Sequence, residues 1–398
     1  MQKSKNHSLT QILTVLLIIL IGANMRTALT AVPPILTNIS SSFNLPDWFL
    51  GSLTTIPLLC FALISPFVNR LSRKFGMLTT IIAALIGLLI GSFIRIYSFS
   101  TLLIGTLLIG GSIAILNVLS PTMVAEFYPR KIGLMTSAYT LSMTIFSALS
   151  AGLSAPISSK IGWQPMLQWL VIFPILTLLI AFGSRGRKHP QQSSRSSFNP
   201  TAQLKPVWRQ PLAWYLTVFM GLQSFLFYTV LTWLPSIFIS HGINQNRASL
   251  LLGLLQLASL PTAYFIPNLA GRLTKQAPLV WTIFGLFILG LGGLLLNTAS
   301  MTIAVIICIL LGFATSSAFS MSMILFSLKT ANPYETSAVS GMAQSIGYLA
   351  AAIGPLLSGL IHGAIASWWP VIVMMLIVVV IQTSFGLLVD SKQSVFGE

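Results

Sequence analysis

Acidic side chains are almost missing: Asp and Glu together number five in 398 residues, and charged residues of both signs make up only 7% of the chain. An ordinary soluble domain carries about 25% charged residues. This chain therefore has too little polar surface to cover a water-soluble fold of two or three domains, which excludes a soluble globular enzyme. Cysteine is scarcer still. Cys60 and Cys308 both sit inside apolar runs, where they read as small hydrophobes rather than as a disulfide or a metal pair. No Walker sequence, dinucleotide fingerprint, metal-spaced His or Cys cluster, or nucleophile elbow occurs in a suitable setting. ATP-driven pumping by this chain alone is excluded, and no metal or organic cofactor is expected.

In place of charge the sequence has long apolar runs. About 20 apolar residues, rising 1.5 Å each, cross a hydrocarbon core of about 30 Å. Twelve runs qualify, at approximately 9–37, 48–69, 76–96, 101–124, 132–158, 166–182, 214–239, 248–270, 279–297, 302–328, 337–362 and 369–388. Several contain Pro and Gly, which membrane helices accept where neighbours satisfy the freed carbonyls. The first run continues past Arg26 with no small-residue cleavage site and polar mature chain behind it, so it reads as span one rather than as a signal peptide. The expected fold class is an all-α membrane protein of twelve transmembrane helices.

The formal charge of +16 raises the question of an anionic partner such as nucleic acid. Placement of the charges answers it. With the N-terminus in the cytoplasm, all but four of the 21 Lys and Arg residues fall in cytoplasmic segments; Arg95, Lys160 and Arg247 fall outside, and Arg26 lies within a span. The positive-inside rule then puts both termini in the cytoplasm of a multi-pass protein of the inner or plasma membrane. Its expected partners are a small-molecule solute and the lipid bilayer, not nucleic acid, and the chain is expected to act as a monomer.

The longest polar stretch, rich in Ser, Gln, Pro and basic residues, divides the chain into residues 1–183, a cytoplasmic linker at 184–211, and residues 212–398. Six spans stand on each side of it. Shifting the second half by 202 positions matches five of ten residues between Arg26–Ile35 and Tyr228–Ile237. The same register pairs Leu50-Gly51 with Leu252-Gly253, residues 69–73 with 271–275, and Gly110 with Gly312. A slip of three then aligns Ala151–Pro156 with Ala350–Pro355. The halves read as two copies related by an axis along the membrane normal.

The link after span two, Ser65-Pro66-Phe67-Val68-Asn69-Arg70-Leu71-Ser72-Arg73-Lys74, resembles the G-x-x-x-D-R-x-G-R-R signature of the major facilitator superfamily. Arg70, Arg73 and Lys74 match, whereas Ser65, Asn69 and Ser72 depart, and a neutral Asn69 offers a hydrogen-bonded latch in place of a charged one. Asn24-Met25-Arg26 in span one, Gly110, Asn117 and Pro121 in span four, and Gly341–Tyr348 with Gly354-Pro355 in span eleven are similar to the cyanate and nitroimidazole transporter branch of that superfamily. The resemblance implies two pseudo-symmetric six-helix bundles, alternating access, and a central cavity lined by spans one, four, seven and ten. It also implies gating positions at Asn69, Arg70, Arg73, Arg272, Gly354 and Pro355.

Arg26 lies near the middle of span one, where an unpaired guanidinium costs at least about 2.5 kcal/mol. Two uses are open to it: pairing with a buried carboxylate or broken-helix carbonyls, or binding cargo. The five acids, Asp47, Glu126, Glu335, Asp390 and Glu398, all fall at span ends or in loops. With no acid at that depth, Arg26 reads as a cavity residue that holds an anionic or electron-rich solute by its planar donor fork. Asn24, Thr30, Asn117, Gln223, Tyr228 and Trp233 are further candidates because a polar group in lipid needs a partner or a wet cavity. The alternative for the amides and hydroxyls is interhelical hydrogen bonding. By the repeat, Tyr228 is the counterpart of Arg26, and the two are positioned to meet across the axis. Gln344 and Tyr348, one turn apart, face either the cavity or spans two and eight.

The same shortage of acids bears on coupling. No Asp or Glu lies mid-span, so proton coupling falls to the cargo, Arg26, Glu126 or a histidine; without it the protein is a uniporter or exchanger. The function expected is secondary or facilitative transport of a small anion such as cyanate, the alternative being export of drug-like or nitroheteroaromatic compounds. A membrane sensor would need an output domain and a membrane enzyme a nucleophile, acid pair or metal site, and the sequence offers neither.

Overall fold

The computed structural model describes residues 2–128, 132–184, 206–331, 333–391 and 394–396. No strand occurs among them. The described residues include twelve longer helices: α1 (Gln2–Thr30), α2 (Ser52–Phe75), α3 (Met77–Ile94), α4 (Phe99–Phe127), α5 (Ile132–Ile161), α6 (Ile172–Ser184), α7 (Pro211–Ser240), α8 (Gln245–Ala270), α9 (Ala277–Leu294), α10 (Met301–Leu328), α11 (Pro333–Ile365) and α12 (Trp369–Asp390). Among the described residues, eleven helical segments are long and apolar enough to cross a membrane. The remaining helix, α2, has 24 residues, with an apolar stretch over Ser52–Val68 and Arg70, Arg73 and Lys74 in its last turns. Large apolar side chains such as Leu63, Leu179 and Leu289 stand exposed, as a lipid-facing perimeter requires.

Two of the apolar runs are broken where proline removes a donor. Pro33 and Pro34 have no N–H for the carbonyls of Leu29 and Thr30, so α1 stops at Thr30 and passes through a 3-10 turn, Pro33–Ile35, into a short helix, Leu36–Phe43. Pro174 does the same to the carbonyl of Leu170. Run six is accordingly split into a short helix, Trp163–Trp169, and α6.

Helices α1–α6 form one bundle and α7–α12 the other, and their packing repeats. The pairs α1 on α5 and α2 on α4 recur as α7 on α11 and α8 on α10. Between the bundles, α2 lies on α11 and α5 on α8, again equivalent under the repeat. The glycines matched in the sequence make matched approaches. A Cβ on Gly110 of α4 would come within 2.7 Å of Pro57 in α2, and one on Gly312 of α10 within 2.5 Å of the Leu255 carbonyl in α8. In lipid, where no hydrophobic force drives apolar helices together, such close approach supplies the packing.

Successive helices alternate in direction, so the loops after even-numbered helices share one end with both termini. This end is called the terminal end below, and the opposite one the far end. Most of the 184–211 linker, the Asn69 side chain, and the basic residues Arg130, Lys131, Arg185, Arg187, Lys188, Arg195, Lys205 and Lys392 lie outside the described residues and side chains.

Candidate functional site

A cavity of about 410 Å³ lies between the bundles. It begins at Arg26 and Tyr348 and reaches Pro267 and Ile324, one turn from the terminal ends of α8 and α10. Its walls come from α1, α5, α7, α8, α10 and α11. The resemblance led to an expectation of spans one, four, seven and ten. Helix α4 instead contributes only to a second, smaller cleft, through Leu102, Thr106 and Ile109.

Arg26 lines both spaces. Its guanidinium carbon lies 5.1 Å from the ring centroid of Phe227 and 5.8 Å from that of Tyr228. Both rings stand on α7, adjacent in sequence and nearly perpendicular to one another at 79°. They hold the cation by their negative faces and leave its N–H fork free. No carboxylate among the described side chains lines either space. Tyr348 faces the cavity from α11 and packs edge-on against Phe61 of α2, with centroids 5.7 Å apart. Gln223 adds an amide that donates to the Thr315 carbonyl at 3.5 Å and accepts from Ser224 at 3.1 Å.

Arg26, Gln223, Tyr228 and Tyr348 thus share one cavity, and the other candidates do not. Asn24 turns toward α6, donating to Thr177 Oγ1 at 2.7 Å and to the Leu20 carbonyl at 2.8 Å. The Thr30 hydroxyl bridges to Ser150 on α5 at 2.6 Å and back to the Arg26 carbonyl at 3.0 Å. Trp233 is buried between helices, with Nε1 donating to the Pro355 carbonyl at 2.8 Å and its ring against Trp368. Gln344 donates to Ser340 Oγ one turn away at 2.8 Å, and half-buried Asn117 lines neither space. Glu126 is exposed at the terminal end of α4.

The candidate gating residues divide by end. Arg70, Arg73 and Arg272 are exposed at the terminal end. Gly354 and Pro355 belong to the far half, where the bundles are shut. A Cβ on Gly354 would lie 3.0 Å from the Phe225 carbonyl oxygen, so this glycine lets α11 seat on α7. The Gly51 backbone abuts the Pro355 carbonyl, and Thr55 Oγ1 donates to the Ala352 carbonyl at 2.8 Å. Across the axis, Pro156 cannot use the Gly152 carbonyl, and Ser249 Oγ of α8 reaches the Ala151 carbonyl at 2.5 Å and the Gly152 carbonyl at 3.0 Å. Gln245 adds bonds to the Pro34 carbonyl at 2.8 Å and to Asn38 Oδ1 at 2.6 Å. The closed far end and the cavity running toward the terminal end describe a carrier open on one side.

Sequence reasoning missed Phe227, whose position beside Tyr228 was the available signal, and Gln256, a lone amide in an apolar run that donates to Ser147 Oγ at 2.8 Å. It did not foresee the burial of Arg95: placed on the outer side, this residue is 3% exposed and lines the small cleft.

Known proteins share this architecture. The profile of the Major Facilitator Superfamily matches residues 14–355. YycB, an uncharacterized transporter of Bacillus subtilis (strain 168), is 39% identical, with 88% of this chain and 87% of that protein covered. The 2-nitroimidazole transporter of Escherichia coli (strain K12) is 34% identical over 93% of each chain. The cyanate transport protein CynX of the same strain is 22% identical over 87% of this chain and 89% of its own. Among solved structures, a bacterial homolog of the human lysosomal transporter Spinster superposes with a TM-score of 0.77 at 15% identity, covering 95% of this chain and 96% of that one, which speaks to the fold alone. The chain belongs to the major facilitator superfamily, in the branch that holds the cyanate and 2-nitroimidazole transporters, and is a membrane transporter of small solutes rather than an enzyme.

Proposed function

We propose that this transporter carries small planar solutes bearing a negative or electron-rich group, such as a nitro group or a carboxylate, and that Arg26 binds that group. The observation that carries the reading is the guanidinium held over Phe227 and Tyr228 with no described carboxylate on the cavity wall. A planar fork of this kind matches two oxygens on one atom, and in a low-dielectric cavity such a bond is strong. The cavity, about 410 Å³ and faced by Phe227, Tyr228, Phe319 and Tyr348, has room and stacking surface for an aromatic ring. The 34% identity to a 2-nitroimidazole transporter supports the same choice. A triatomic anion such as cyanate is the second reading; the free fork alone favours it.

Transport proceeds in this reading by alternating access, with the bundles rocking about the cavity so that the far-end contacts open as the terminal end closes. The terminal end faces the cytoplasm. Exposed Arg70, Arg73, Lys74, Arg209, Arg272 and Lys275 cluster there, against Lys160 and Arg247 at the far end. No described Asp or Glu reaches the cavity, so a proton, where one moves, moves with the cargo.

A thermal-shift screen tests the cargo. Purified wild type and Arg26→Ala are heated with 2-nitroimidazole, benzoate or cyanate, and a ligand that binds only the native state raises the melting temperature. Stabilisation of wild type by 2-nitroimidazole or benzoate, absent in Arg26→Ala, supports the reading. Equal shifts in both proteins would remove Arg26 from the site.

A further inference from the structure

Arg95 follows the last residue of α3, and its placement is enforced by the backbone. Helices α3 and α4 meet at Gly91 and Gly105, and a Cβ on Gly105 would come within 2.6 Å of both the Gly91 carbonyl oxygen and the Arg95 Cβ. The stem is therefore pinned against α4, and the head turns inward beneath the end of α1. There Val32 N–H bonds to the Leu29 carbonyl at 3.4 Å rather than to that of Ala28, and Arg95 Nη1 donates to the unclaimed Ala28 carbonyl at 2.9 Å. A cation at a helix C-terminus is well placed.

That bond uses one of five donors. Nε and Nη2 of Arg95 are shielded from solvent and have no hydrogen-bond partner. The acids with described side chains, Glu126, Glu335 and Asp390, all belong to the terminal end. The cleft that Arg95 lines is about 20 Å³, room for roughly one water-sized body. Its polar wall is formed by Arg95, Arg26, Tyr228, Thr54 and Thr106. Two guanidinium groups therefore border one small, mostly apolar space with no described carboxylate between them. Like charges in a low dielectric repel, and a buried cation without a partner is costly.

We infer that this cleft is a binding site for one small monovalent anion of the halide class, held by Nε and Nη2 of Arg95, whose charge it offsets. The inferred ion is distinct from the cargo, because the cleft is too small for a ring. It fixes the end of α1 and therefore the depth at which Arg26 is presented. A halide is a suitable occupant because it is spherical and accepts hydrogen bonds from N–H donors without needing a carboxylate's bidentate geometry.

The test compares melting temperatures in sodium chloride, sodium bromide and sodium gluconate at equal ionic strength, gluconate being too large to enter. Wild type is expected to melt about 3 °C higher in chloride or bromide than in gluconate. Arg95→Gln, which removes the guanidinium and its charge, is expected to lose that difference, while Arg26→Ala retains most of it. Crystals grown in bromide should show anomalous density beside Arg95. Wild type insensitive to halide, Arg95→Gln as sensitive as wild type, or bromide absent from this cleft would each overturn the inference. So would a halide response that appears or grows in Asp47→Asn, since Arg95 would then answer to a protein carboxylate in the native chain. Halide dependence surviving in Arg26→Ala, whatever becomes of cargo binding, separates this site from the proposed cargo site.

Discussion

The guanidinium carbon of Arg26 lies 5.8 Å from the ring centroid of Tyr228, and the two residues hold equivalent positions in the two halves of the repeat. One copy of an ancestral position thus supplies a cation and the other the aromatic face that steadies it. In lipid an arginine without a counter-ion needs such a support, since a cation over a desolvated ring gains about 2 kcal/mol. The ring takes none of the N–H donors, which are what a bound solute would use.

Replacing Arg26 is expected to reduce transport more than its packing alone would explain. A charge-assisted hydrogen bond contributes about 1.5–3 kcal/mol, so Arg26→Ala should weaken cargo affinity by roughly 10–100-fold. Arg26→Lys keeps the charge but loses the fork, and an intermediate loss is expected. Tyr228→Phe keeps the ring and should stay within about threefold of wild type, whereas Tyr228→Leu should approach Arg26→Lys. Flux into liposomes, with binding measured separately, distinguishes these outcomes.

How far the site was legible depended on what each residue's neighbours disclosed. Arg26 and Tyr228 could be paired because the repeat is visible in sequence. Asn24 stands two positions from Arg26, and residues two apart on a helix do not share a face; its orientation toward Thr177 was therefore open to the same reasoning. Thr30, four positions on, does share the face, yet its hydroxyl is taken by Ser150. That bond depends on the register of α5 against α1, which no single helix encodes. Trp233 looked like a stacking surface, but the Pro355 carbonyl that claims its N–H lies 122 positions away. Arg95 was hidden for a different reason. A charge at the very end of an apolar run reads as solvated, and only the Gly91–Gly105 contact turns it inward.

Asn24 and Trp233 should accordingly behave as packing residues. Asn24→Ala leaves Thr177 without that donor, and Trp233→Phe loses the bond to the Pro355 carbonyl; each is expected to cost about 1–3 kcal/mol of stability. Cargo affinity should change by less than about twofold. Melting temperature and equilibrium binding, measured on the same preparations, would expose a direct cargo role as an affinity loss without loss of stability.

Glu126 is exposed at the terminal end of α4 and absent from the cavity wall. Glu126→Gln is therefore expected to keep transport within about twofold of wild type, with and without an imposed pH gradient. If only the gradient-driven component disappeared, Glu126 would be the coupling acid and the proton would follow a path apart from the cargo.

The far end closes on two backbone contacts that leave no room for a side chain. A Cβ at Gly51 would collide with the Pro355 carbonyl oxygen, and one at Gly253 would come within 2.8 Å of the Ala148 carbonyl oxygen and 2.9 Å of the Gly152 Cα. Backbone cannot rotate aside as a long side chain can, so Gly51→Val with Gly253→Val should make the closed arrangement inaccessible. The bundles themselves are untouched, because both contacts run between halves rather than within one. The double variant is therefore expected to fold, to stand open at the far end, and to lose transport at least tenfold while still binding cargo. Spin labels on exposed Lys160 of α5 and Arg247 of α8 report the change, since their neighbours Ser159 and Asn246 lie 3.5 Å apart in the closed form. A longer label distance with binding retained marks a trapped carrier. An unchanged distance would mean that the far end tolerates the added methyl groups and that α2–α11 and α5–α8 are not the surfaces that part.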